Sequence, residues 1–310
     1  MEVTCIKVRH KFNDRYLMSL PGKILSLITV LLSAGGFALA GQVSAFSINK
    51  QQMQKDTGNK YQLVWADEFN ENGTPNTSNW IFEHGLVRNH ELQWYQPQNA
   101  YIKKGKLIIE ARREQFPNPN YVAQSDSWKT NRPLIEYTSA CINTRGLHSW
   151  TYGRMEMRGK IDTASGLWPT FWTLGVEGEW PSGGEIDMME YYRGTLLANV
   201  ATGTDTLYTP LWFSNKKPLK DFKSNWSKKF HVWRMDWDEE AISLYVDDEL
   251  LNRVALKDLV NRDGTNINPF TKPHYMLLNL AVGGDNGGDP SATKFPRRFE
   301  VDYVRVYQKQ

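Results

Sequence analysis

Cysteine is almost absent: 310 residues contain two, Cys5 and Cys141. Cys5 falls in a leader segment, so a mature chain has no intrachain disulfide, and a hydrophobic core must supply the stability that a disulfide framework gives. As a nucleophile, Cys141 would need a nearby His to hold it as thiolate. The surrounding "EYTSACINTRG" reads instead as a strand with a buried structural thiol. Metal-ligand spacing is lacking too. His84, His90, His148, His231 and His274 form no H-E-x-x-H and have no Cys companion, which argues against a catalytic zinc. No G-x-S-x-G occurs, so there is no serine hydrolase elbow. "GGDNGGDP" has neither the phosphate-loop pattern nor EF-hand spacing and reads as a pair of turns. Excess charge is missing as well. The formal +3 is a leader effect: residues 1–45 carry five Lys or Arg and two acids, and the remainder carries 32 of each sign. With no basic stripe interleaved with aromatics, nucleic acid is not an expected partner.

One long apolar run exists, Ile24 to Ala40, "ILSLITVLLSAGGFALA". Lys7, Arg9, Lys11, Arg15 and Lys23 precede it, and the small residues Ala38, Ala40 and Ala45 follow or close it. That is the layout of a secretory signal. Its 17 residues fall short of the roughly 20 a membrane span needs, so an uncleaved anchor is the weaker alternative. No Cys follows that would carry a lipid. Met18 offers a second possible start. Residues 1–45 are expected to be a signal peptide and 46–60 a polar, Gln-rich, flexible lead-in. Residues 61–310 are expected to be one domain, secreted or periplasmic, monomeric and without stable membrane insertion.

From Tyr61 onward the chain is a series of short β-like runs separated by Gly, Pro, Asn and Asp. In "GRMEMRGKI", Met155, Met157, Gly159 and Ile161 alternate with Arg154, Glu156, Arg158 and Lys160. Period two over many short segments means a sandwich or a barrel. Only "ALKDLVNRDG" hints at a short helix. All 12 Trp lie after the leader. Trp65, Trp80, Trp233 and Trp237 fit a core; the others raise the possibility of a groove whose indole faces stack on sugar rings.

"GGEIDMMEYY", residues 183–192, places three acids in a stretch that otherwise reads as a buried strand. On a regular strand Glu185 and Asp187 share a face while Glu190 turns to the other. One extra residue, a β-bulge at Met188 and Met189, would bring Glu190 back to its companions. Acids alternating on a strand are commonly a solvated face. Three carboxylates on one face repel, however, so at neutral pH at least one holds or shares a proton. Glycoside hydrolysis uses that arrangement: one carboxylate attacks the anomeric carbon and another, with raised pKa, protonates the leaving oxygen. Upstream, "LWPTFWTLGVEGEWPSGG" adds Trp168, Trp172 and Trp180 beside the acids.

This strand resembles the bulged E-x-D-x-x-E active-site strand of glycoside hydrolase family 16, the laminarinase-like β-glucanases and related endo-galactanases. The likeness extends through "LVWADEFN", "HELQWY", "TSACINTRG", "YGRMEMRGKI", "GLWPTFWTLG", "HVWRMDW", "LLNLAVGG" and "FEVDYVRVYQ", from Tyr61 to Gln308. It implies an all-β jelly-roll sandwich of two antiparallel sheets with an open concave cleft, and endo-cleavage with retention. Glu185 would be the nucleophile, Glu190 the acid and later base, and Asp187 the partner that sets the nucleophile's ionisation. Trp180, Trp168 and Trp172 would stack on sugars, and Arg88 and Asn89 would bond hydroxyls. No cofactor takes part in catalysis. A structural Ca²⁺ is expected on the convex side, from the Asp302 carboxylate and backbone oxygens near Glu68 and Gly105. One departure concerns the next strand: where laminarinase-like members carry a His reaching the cleft, this chain has Ala201, with Asn199 nearby as a further expected substrate-binding residue. That leaves the substrate open between β-1,3- or mixed-linkage glucan and red-algal galactans such as agar or porphyran. A glycan-binding sandwich without catalysis is the alternative of another class.

Overall fold

The computed structural model describes residues 61–310. The leader, the lead-in and Cys5 lie outside the described residues. In chain order the strands are β1 (Tyr61–Asp67), β2 (Ile81–Phe82), β3 (Gln93–Tyr95), β4 (Ala100–Ile102), β5 (Leu107–Pro117), β6 (Leu134–Ser139), β7 (Cys141–Asn143), β8 (Gly153–Lys160) and β9 (Leu167–Gly175). There follow β10 (Glu185–Tyr192), β11 (Thr195–Gly203), β12 (Pro210–Pro218), β13 (His231–Trp237), β14 (Ala241–Val246), β15 (Glu249–Ala255), β16 (His274–Val282) and β17 (Arg297–Lys309). They form two sheets. One runs β15-β14-β13-β8-β17-β5-β6-β3, with β1 also on β17 and β4 on β5. The other runs β12-β11-β10-β9-β16-β7-β2. The two sheets are antiparallel, as expected, with one parallel pair, β3 and β6, at the end of the larger sheet.

Alternation explains how the sheets close on each other. On β8, Met155 and Met157 are fully buried, while Arg154, Glu156 and Arg158 keep partial exposure. Arg154 lies opposite Asp236 of β13 and grips its carboxylate through Nε and Nη2 at 2.7 and 3.2 Å, a cross-strand pair that holds the register from outside. Between the sheets the core takes in Trp80, Trp233 and Trp237, Phe171, Phe270 and Phe299, each with at most 1% of its surface exposed. Trp65 departs from expectation: it is half-buried and leans on the core, edge-on to Trp80 at 5.7 Å. The helix expected at "ALKDLVNRDG" is a 3₁₀ turn, Leu256–Asp258, following directly on β15. The "GGDNGGDP" turns contain one short helix, α1 (Gly284–Gly287).

β10 is the third strand in from the β12 edge of its sheet, so its outward face lies mid-floor and its inward face meets the core. Its position depends on two glycines. Gly184 has φ +83°, a left-handed conformation that L side chains rarely adopt, and turns the chain directly into Glu185. Gly175, at the end of β9, lets the returning loop approach so closely that a Cβ there would stand 2.0 Å from the Gly183 carbonyl oxygen.

Candidate active site

The register of β10 breaks between Asp187 and Glu190 against β11, and between Asp187 and Met189 against β9. Met188 and Met189 are consecutive, yet both are fully buried in the core with Ile186 and Tyr191. Two neighbours on one side of a strand make a β-bulge, and it returns Glu190 to the face of Glu185 and Asp187. All three acids are buried, with 9, 2 and 8% of their surface exposed for Glu185, Asp187 and Glu190.

Cross-strand neighbours on that outward face define three rows. Leu174, Glu185 and Ala201 form one; Trp172, Asp187 and Asn199 the next; Thr170, Glu190 and Leu197 the third. Each acid has an assigned donor. The Trp180 indole N–H bonds Glu185 Oε2. The Asn199 amide nitrogen donates to Asp187 Oδ2 at 2.9 Å and to Glu190 Oε2 at 2.8 Å. Trp168 Nε1 donates to Glu190 Oε1 at 2.8 Å. Asn199 therefore ties the middle acid to the last across the bulge.

Burial raises the pKa of every member, because a charged carboxylate loses its hydration. For Glu185 the Asp187 charge adds to burial, Trp180 opposes it, and the carboxyl stands well above its usual range. Asp187 rises to about 6, burial outweighing the bonds it receives from Asn199 and Glu185. Glu190 rises to about 8, through burial and then the Asp187 charge, against the donors Trp168 and Asn199 and the cation of Lys216. With its pKa near 8, Glu190 holds its proton at neutral pH, and burial together with the facing Asp187 charge favours the protonated form of Glu185.

The other expected residues converge here in altered form. Arg88, Asn89, Trp168 and Trp172 line the same pocket as the acids. Trp168 and Trp172 are buried, with 6 and 7% exposure, and are anchored by their N–H groups, Trp172 through Asn279 Oδ1 at 2.8 Å. They form the floor, and Trp180, 37% exposed, is the one of the three that stands out into solvent. Arg88 is ion-paired with Glu83 and lies over the Trp172 ring, 5.2 Å from its centroid. Asn89 occupies a left-handed φ of +53° at the turn of the cleft loop. Thr170, Glu91 and Asn279 complete the lining, and sequence reasoning passed over them. Thr170 and Asn279 are polar residues among apolar neighbours in "LWPTFW" and "LLNLAV", which is the signal that would have found them; Glu91, among Asn89, His90 and Gln93, offers no such contrast. Cys141 is fully buried in a small cluster with Tyr95, Trp172, Tyr275 and Leu277 beneath this loop, as a structural thiol.

The profile of glycosyl hydrolases family 16 matches residues 88–305. The chain belongs to that family. Glucan endo-1,3-beta-glucosidase A1 of Niallia circulans is 36% identical over 274 residues, covering 80% of this chain and 38% of that protein. A beta-glucanase of Rhodothermus marinus is 34% identical over 278 residues, covering 82% of this chain and 88% of the other. Among solved structures, one from work on endo-acting O-glycanases of the human gut microbiota that initiate mucin breakdown superposes with TM-score 0.74 at 32% identity, over 83% of this chain and 94% of that one.

The convex corner where a family 16 calcium is expected is assembled by backbone register. β17 pairs with β5 up to Val301 and with β1 from Val304 onward, so Asp302 sits at the change of partner. Glu68 follows the end of β1 and Gly105 precedes the start of β5, both at this point. Arg158 Nη1 takes Asp302 Oδ2 at 2.6 Å, and Arg305 takes both oxygens of Glu68 at 2.7 and 2.9 Å. The Glu68 side chain is therefore committed, and the remaining donors are Asp302 Oδ1 and main-chain carbonyls. Among the described residues no group of three His, Cys, Asp or Glu is placed to hold a metal.

Proposed function

We propose that the chain is a secreted endo-acting glycoside hydrolase that cleaves a β-linked glucan, β-1,3 or mixed β-1,3-1,4, with retention at the anomeric carbon. The observation that carries this reading is Glu190 on the same face as Glu185 and Asp187, across the bulge, where burial raises its pKa to about 8. Glu185, its proton passed to Asp187, attacks the anomeric carbon as the bond to the leaving oxygen breaks; Glu190 gives that oxygen its proton. Glu190, now a carboxylate, then takes a proton from water, which attacks the same carbon and releases Glu185. The glucan assignment is supported by the glucanases of Niallia and Rhodothermus.

A second substrate reading, a β-galactoside chain such as a red-algal galactan or an O-glycan, is favoured by two observations. Ala201 faces Glu185 where a cleft His was expected, and the O-glycanase structure superposes well. A reducing-sugar assay on laminarin, lichenan, agarose, porphyran and mucin decides between them. Oligosaccharide release from laminarin or lichenan is the expected result. Binding to these without release from any would leave a lectin. Export is checked by sequencing the N-terminus of protein recovered outside the cytoplasm, which should begin within residues 39–46.

A structural Ca²⁺ at Asp302, held by Oδ1 and carbonyls near Glu68 and Gly105, accords with a hard cation's preference for oxygen donors. Calcium should raise the melting midpoint over a chelated sample by several degrees, and Asp302→Asn should abolish the difference. Equal midpoints for the chelated and calcium-loaded protein would rule the ion out.

A further inference from the structure

The row that starts at Glu185 does not end at Ala201. Ala201 pairs in turn with Trp212 on β12, the edge strand of the sheet. Directly paired residues of neighbouring strands point to the same face, so Trp212 stands on the cleft side, two strands from Glu185 at roughly 5 Å per strand. The opposite parity agrees: Phe213, next along β12, packs against the core. Trp212 is 42% exposed, on a strand whose outer edge has no sheet neighbour among the described residues. Between it and the nucleophile there is a single methyl group, that of Ala201, so nothing tall separates the indole from the acids along this row. A large aromatic surface left open to water costs hydrophobic free energy unless something covers it.

We infer that Trp212 is a sugar-stacking platform, an outer subsite of the cleft that holds a ring of the same glycan chain beyond those at the scissile bond. The occupant follows from continuity: the row joins the platform to Glu185 on one open face, and a polysaccharide lying across the strands from Trp172 over the acids passes above Ala201 to reach it. Trp212 thereby determines how long a substrate must be for full affinity. It touches substrate without taking part in bond making or breaking. This assignment rests on the hydrolase reading above.

The test uses the glycan that the wild-type enzyme cleaves and a ladder of its oligosaccharides. For wild type, kcat/KM should rise once the oligosaccharide is long enough to cover Trp212. In Trp212→Ala that rise should disappear, a loss of roughly tenfold on the polymer, mainly through KM. Trp212→Phe, which keeps a ring, should retain most of it, and matching melting midpoints confirm that the fold is kept. The same length dependence in Trp212→Ala as in wild type would overturn the assignment. Because wild-type turnover is measured alongside, failure of the hydrolase reading would be distinct: wild type itself would cleave nothing.

Discussion

Asn199 shows how one side chain sets the chemistry of two others. Its amide nitrogen donates to both Asp187 and Glu190. A hydrogen bond donated to a carboxylate favours the charged form, so Asn199 lowers both pKa values from where burial alone would leave them. Activity requires the Glu185–Asp187 pair to have lost one proton and Glu190 to have kept its own. The kcat/KM profile should therefore be a bell with an acidic limb near pH 6 and an alkaline limb near pH 8. In Asn199→Ala both pKa values rise, so both limbs should move to higher pH, along with a fall in rate. An unshifted profile would show that Asn199 does not hold these acids. At this scale the sequence was partly legible. The acid trio was visible because its spacing is local, whereas the donor that links two of its members comes from the next strand, and cross-strand partners depend on register. For the same reason the burial of Trp168 and Trp172 was hidden: each indole N–H is fixed by a residue 22 or 107 positions away.

At the scale of the element, β10 carries one residue too many. Deleting Met189 would remove the bulge and restore strict alternation, yet Glu190 would stay opposite Leu197 and Thr170, because β10 takes three steps from Asp187 to Glu190 where β9 and β11 take two. The core would lose one buried methionine, at a cost of about 2–5 kcal/mol, so the melting midpoint should fall by roughly 4–20 °C while the folded protein keeps its activity. Met189→Leu preserves the count and nearly the volume, and should keep both. A deletion variant that folds but cleaves nothing would mean that the row opposite Thr170 and Leu197 is not enough to position the acid. Strand content and this bulge were readable beforehand because period two and its interruption are properties of adjacent residues. The parallel β3–β6 pair was not readable, since it joins residues 44 positions apart. The Leu256–Asp258 turn fell short of a helix because β15 continues through Ala255 and leaves too few residues to propagate one.

For the whole molecule, the two sheets divide the work. The core between them accepts the paired methionines, and the seven-stranded sheet spreads its outward face from the Arg88–Asn89 loop to the β12 edge. The fold class was legible as a sandwich or barrel from alternation, and resemblance to a family narrowed it to a jelly roll. What alternation could not supply was which aromatics form floor, wall or rim, because that depends on the order of strands in the sheet. The account as a whole stands on a two-step displacement by Glu185 and Glu190 across this face. It is tested most directly by Glu190→Ala with an activated aryl oligosaccharide and azide, the product's anomeric configuration being read by NMR. Glu185 should still form the glycosyl-enzyme and azide should capture it, giving a glycosyl azide of retained configuration. An inverted azide, or no azide product while Glu185→Ala remains active, would contradict it.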